Sequence, residues 1–121
     1  MPFPVPGTPI TASAVGTTAS IVATLPGVAN QTTYITGLCV TINNPSGAVD
    51  ATVTVAGTIS GSLVYGVHGL AAAATTPQPP PLVVPFTTPI PASAANTAIT
   101  ITLSALGTGG IGQVNAYGFQ I

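Results

Sequence analysis

The sequence predicts an all-β protein: an antiparallel β-sandwich, jelly-roll-like, with about seven or eight strands behind an extended Pro-rich N-terminal arm. Three observations predict it. From residue 33 onward apolar residues alternate with Thr, Ser and Gly at a period near two, as in a half-buried strand. Clusters of Gly, Pro, Asn and Ser interrupt that pattern at nearly even spacing. The only helix-like patch, Ala71–Ala74, is too short for a stable helix and is followed by Pro77.

The elements follow in order. Residues 1–10 carry Pro2, Pro4, Pro6 and Pro9. Such spacing is incompatible with a helix or a central strand and favours an extended polyproline shape. Ser20–Leu25 is apolar and β-branched, and Pro26-Gly27 ends it. Thr33–Ile42 puts Leu38, Val40 and Ile42 on one face and Ile35, Gly37 and Cys39 on the other. Ala51–Ile59 aligns Val53, Val55 and Ile59 against Thr52, Thr54 and Thr58, and Gly61-Ser62 reads as a hairpin turn. Leu63–His68 returns with Leu63, Tyr65 and Val67 inward and Val64, Gly66 and His68 outward. Leu82–Thr87 follows a proline stretch. Ala98–Ala105 is the cleanest alternation, and Val114–Ile121 groups Tyr117, Phe119 and Ile121. The expected organisation is an arm over residues 1–16, which could supply an eighth strand, and one sandwich domain over residues 17–121. Within the arm, Pro2, Phe3, Pro4, Val5 and Pro6 are the expected interface residues, because Phe3 and Val5 gain by burial on a neighbour.

Charge narrows the function classes. The 121 residues include no Lys or Arg, one acidic residue (Asp50) and one His (His68). A chain without cations cannot neutralise phosphates, so nucleic acid is excluded as a partner. It lacks a lysine or arginine to grip a nucleotide and a carboxylate pair for acid–base work. No apolar run approaches the roughly 18 residues of a membrane helix, so no membrane partner is expected. The opening Met-Pro-Phe-Pro shows neither a basic region nor a long apolar stretch, so no secretory signal is expected. Cys39 has no second cysteine to pair with and reads as a small apolar residue buried in a strand.

Candidate chemistry is sparse. His68 is the only side chain whose ordinary pKa lies near neutrality. A catalytic set would need Asp50 as orienter and one of many Ser or Thr hydroxyls, and no G-x-S-x-G turn is present. A metal site needs three or four ligands, and His68, Cys39 and Asp50 are the entire stock, so no metal is expected within one chain. Neither catalytic, cofactor-binding nor metal-ligating residues are therefore assigned, and no cofactor is expected. Asp50 and Asn96 read as turn residues, and Pro77–Pro81 as a rigid loop. The Thr52/Thr54 and Thr100/Thr102 rows read as the wet face of a sheet, with an ice-binding array as the weaker alternative.

With a formal charge of −1 the surface repels nothing, whereas soluble monomers usually carry a net charge of about 2–8. That suits a module packed among copies of itself or on a larger body. In this setting the segments TTPIPASAANTAITITLSALGTGG and VNAYGFQI are similar to small decoration (cement) proteins of tailed-bacteriophage heads, a likeness of style spanning residues 30–121. The resemblance implies a β-sandwich, often trimeric, sitting on the outer surface of the head and reinforcing it, with an extended arm over neighbouring capsid subunits. It implies the major capsid protein and copies of itself as partners, synthesis in the host cytoplasm and no enzymatic activity. No functional residue carries over from it. The alternatives are a head-fibre or tail-associated β-module, and a carbohydrate- or surface-binding sandwich using Tyr34, Tyr65 or Tyr117 as stacking platforms.

Overall fold

A computed structural model describes residues 7–43, 49–69, 81–107 and 109–121. Among them are eight strands and no helix: β1 (Thr8–Thr17), β2 (Ile21–Leu25), β3 (Thr33–Asn43), β4 (Val49–Ala56), β5 (Leu63–Gly69), β6 (Leu82–Pro91), β7 (Ile99–Leu103) and β8 (Ile111–Gln120). They form two four-stranded sheets, β1-β8-β3-β6 and β2-β7-β4-β5. The first strand pairs with the last, the second with the seventh, the third with the sixth and the fourth with the fifth, all antiparallel. That wiring is one long hairpin wrapped into a sandwich, the jelly roll.

Alternation builds the core between the sheets. Ile21, Ala23 and Leu25 of β2, Val53 and Val55 of β4, and Ile99, Ile101 and Leu103 of β7 face Leu38, Val40 and Ile42 of β3 and Val114 and Ala116 of β8. Ile10, Ala12 and Ala14 of β1 pack against the same cluster. Each fully buried Leu, Ile or Val contributes about 1.5–3 kcal/mol. Thr33 and Gln120 are buried polar residues, and both find partners. The Thr33 hydroxyl donates to the Pro26 carbonyl at 2.7 Å, and Gln120 Nε2 donates to the same oxygen at 2.8 Å. This ties the loop after β2 to the adjoining ends of β3 and β8.

The structure corrects several expectations. Residues 8–16, expected within the arm, belong to β1, the eighth strand that the arm could supply, which is hydrogen-bonded to β8 from Thr8↔Gln120 to Thr17↔Ile111. The strand tolerates Pro9 because β1 is an edge, one side of whose backbone has no partner strand to serve. The same holds for β6, the opposite edge of that sheet, which runs through Pro85, Pro89 and Pro91 rather than stopping at Thr87. Residues 1–6 lie outside the described residues, and Pro2, Phe3, Pro4, Val5 and Pro6 with them, as does most of the Pro77–Pro81 stretch.

Ile35, placed by strict alternation beside Cys39, is instead fully buried with Leu38. The register shifts between Ile35 and Gly37, and that bulge moves Ile35 to the core side. Ile59 does not continue the Val53–Val55 face. It is 66% exposed, because β4 ends at Ala56, Gly57 takes φ +91° and the chain turns through Thr58–Gly61. Ala105 likewise falls outside β7 and is exposed, while Leu106 is buried in its place. The Leu106 and Gly107 amides both donate to the Thr18 carbonyl, which redirects the chain there.

Candidate interaction surface

The few ionisable groups are distributed by the pairing of strands. Asp50 lies inside β4, not in a turn, and its register partner on β5 is His68. The chain's only acidic residue and only histidine thus occupy opposite positions at one end of one sheet. The turn reading of Asp50 failed because β4 begins one residue before it. Asn96 does sit in a turn, with φ +56°, a conformation that Asn accepts more readily than most residues. Cys39 is half-buried rather than buried, because Leu38 and Val40 on either side of it point into the core. It belongs to β3, in the other sheet from Asp50 and His68, so the topology does not gather the three.

The outer face of the β1-β8-β3-β6 sheet is neutral. One register row runs Thr11–Tyr117–Gly37–Pro85 and the next Ser13–Asn115–Cys39–Val83. Tyr117 is 39% exposed and its ring lies over Gly37. Tyr34 and Phe119 stack with ring centroids 4.9 Å apart and planes 13° from parallel. Tyr65 packs against the core from the other sheet. Of the three tyrosines, Tyr65 packs against the core, Tyr34 stacks on Phe119 and Tyr117 lies over Gly37 on the outer face.

The outer face of the β2-β7-β4-β5 sheet carries the threonines. Registers align Val22, Thr102, Thr54 and Val64 in one row and Thr24, Thr100 and Ala56 in the next. The Thr rows recognised in the sequence are thus neighbours on one sheet, bounded by exposed Val22 and Val64 on its two edge strands. Beside them a hollow of about 330 Å³ is lined by Asp50, Ala51, Thr52, Gly66 and Val67. A smaller one, about 180 Å³, lies between the ends of β3 and β8, lined by Thr41, Ile42, Asn43, Ile111, Gly112 and Gln113. Among the described residues no three His, Cys, Asp or Glu side chains cluster. Both hollows are open to the surface and lined by strand residues.

The sequence reading passed over Gly66 as one more outward position. Its signal was a glycine in mid-strand, which needs a packing reason or an external one. No protein-family model matches the chain, and no curated protein matches it either.

Proposed function

We propose that this protein is a non-enzymatic structural component of a virus particle, decorating and stabilising the outer surface of a phage head through apolar and hydrogen-bonded contacts. The observation that carries the reading is how little charge the two outer sheet faces hold. Their register rows present Thr, Ser, Asn, Gln, Gly, Pro, Val and Tyr, with Asp50 and His68 confined to one end of one sheet. Surfaces of this kind adhere by excluding water and by hydrogen bonds, and salt does not screen them. The partners in this reading are the major capsid protein and other copies of the chain. Residues 1–6 extend the attachment, with Phe3 and Val5 as its apolar anchors.

Co-sedimentation of the full chain with heads of the phage that encodes it tests the reading. Binding that saturates at a fixed copy number and persists at high salt is the expected result. Failure to co-sediment, or release by moderate NaCl, overturns it.

A further inference from the structure

The four edge strands of the sandwich are protected unequally. β1 carries Pro9, and β6 carries Pro85, Pro89 and Pro91, a common defence of an edge against another strand. β2 lies against β1 and β8. Among the described residues β5 has none of these defences. Leu63–Gly69 contains no proline, and its pairing with β4 is unbroken over seven positions, from Val49↔Gly69 to Val55↔Leu63, so no bulge twists it away. It bears no Lys, Arg, Asp or Glu. Among the described residues, no backbone hydrogen bond outside the ladders reaches it.

Gly66 adds a second, independent observation. Gly16, Gly37, Gly112 and Gly118 are strand glycines explained by their own fold: a Cβ at each would come within 2.8 Å of a neighbouring atom. Among the described residues a Cβ at Gly66 meets nothing within 4 Å, its φ is not positive, and the strand does not bulge there. With the internal reasons gone, the remaining use of a mid-strand glycine is close approach by something outside. The hollow of about 330 Å³ beside Gly66 is the space so left. Two residues away on the same outer face stands Val64, 62% exposed. A large and an empty position two apart are self-complementary. When the strand meets an antiparallel copy centred on Tyr65, each Val64 falls opposite the other copy's Gly66.

We propose that β5 is a self-association edge: two copies pair antiparallel through Leu63–Val67 about a two-fold axis on Tyr65, joining their threonine-bearing sheets into one continuous sheet. The occupant is a second copy because the side-chain pattern of the strand complements itself and includes no Lys, Arg, Asp or Glu to repel it. The inference relies on the reading above only for the presence of neighbouring copies.

Sedimentation equilibrium of the full chain, with Gly66→Lys, Val64→Lys and Val22→Lys variants, tests it. The expected result is a concentration-dependent dimer for the parent and for Val22→Lys, which alters the other edge strand of that sheet. Gly66→Lys and Val64→Lys are expected to be monomers with the parent's circular dichroism, their dissociation constants raised at least about tenfold. Val64→Lys decides the matter should Gly66→Lys not fold. A parent that stays monomeric at millimolar concentration, or a dimer or trimer untouched by both lysines, overturns the proposal. Monomers that still co-sediment with heads would remove the edge pairing and leave the decoration reading standing; a lysine-sensitive dimer that ignores heads would do the reverse.

Discussion

Tyr117 stands in for the side chain that Gly37 lacks. The two are register partners on β8 and β3, and a Cβ at Gly37 would lie 2.6 Å from Cε2 of the Tyr117 ring. The ring thereby covers backbone that glycine leaves bare in the middle of a sheet. Gly37→Val is expected to push the ring off and cost about 1–3 kcal/mol. Tyr117→Ala removes the cover but opens room for the valine. The double variant should therefore be more stable than the sum of the single losses predicts, as measured by denaturant unfolding. Strict additivity would show that the two positions do not share the space.

Thr18 is a β-branched residue at φ +68°, a left-handed conformation that such residues rarely adopt. It is held there because its amide donates to Gly110 and its carbonyl accepts from Leu106 and Gly107. Thr18→Asn keeps those backbone bonds and suits the conformation better. It is expected to raise stability by about 0.5–1 kcal/mol, read as a higher denaturant midpoint at unchanged slope. A lower midpoint would mean that the Thr18 side chain contributes more than its backbone costs.

Thr33 and Gln120 face each other in the β3–β8 register and share one acceptor, the carbonyl of Pro26. Either Thr33→Val or Gln120→Leu leaves that oxygen one donor, and each is expected to cost about 1 kcal/mol. The double substitution leaves it none. Its cost should exceed the sum of the singles in a double-mutant cycle. A coupling of zero would show that the two donors act separately.

The boundary between arm and sandwich sets two truncations apart. Removing residues 1–6 leaves the register pairs from Thr8↔Gln120 to Thr17↔Ile111 in place and is expected to leave the melting temperature unchanged while weakening attachment to heads. Removing residues 1–17 strips β8 of its partner along ten register positions and uncovers the core beside Ile10, Ala12 and Ala14. That variant is expected to lose its cooperative melting transition. A sharp transition retained after the longer deletion would return β1 to the status of an appendage.

Salt should have little purchase on any assembly of this chain. With Asp50 its only acidic side chain and no Lys or Arg, contacts between copies cannot rest on ion pairs. Raising NaCl to about 1 M is expected to leave sedimentation unchanged or to favour association. Dissociation over that range would point to electrostatic contacts that this composition does not supply.

The amino-acid sequence by itself determined the class of this protein and most of its strands. Alternation at period two is a local property, so Ile99, Ile101 and Leu103 declare a buried face without reference to anything distant. The near-absence of charge is likewise legible at once, and it shapes the expectation about partners before any fold is known. What only the tertiary structure decided is where edges, bulges and partners fall. Proline forbids a central strand but not an edge, so Pro9 in β1 and Pro89 in β6 were unreadable until the sheet order put both strands on the outside. Ile35 reached the core through a bulge set by its pairing with β8, not by its neighbours in sequence. Asp50 and His68 became register partners, and Gly66 an unfilled position beside an exposed Val64, because β4 and β5 align as they do. Such relationships join residues far apart in sequence, or depend on whether space is filled by another element. A pattern read along the chain contains neither.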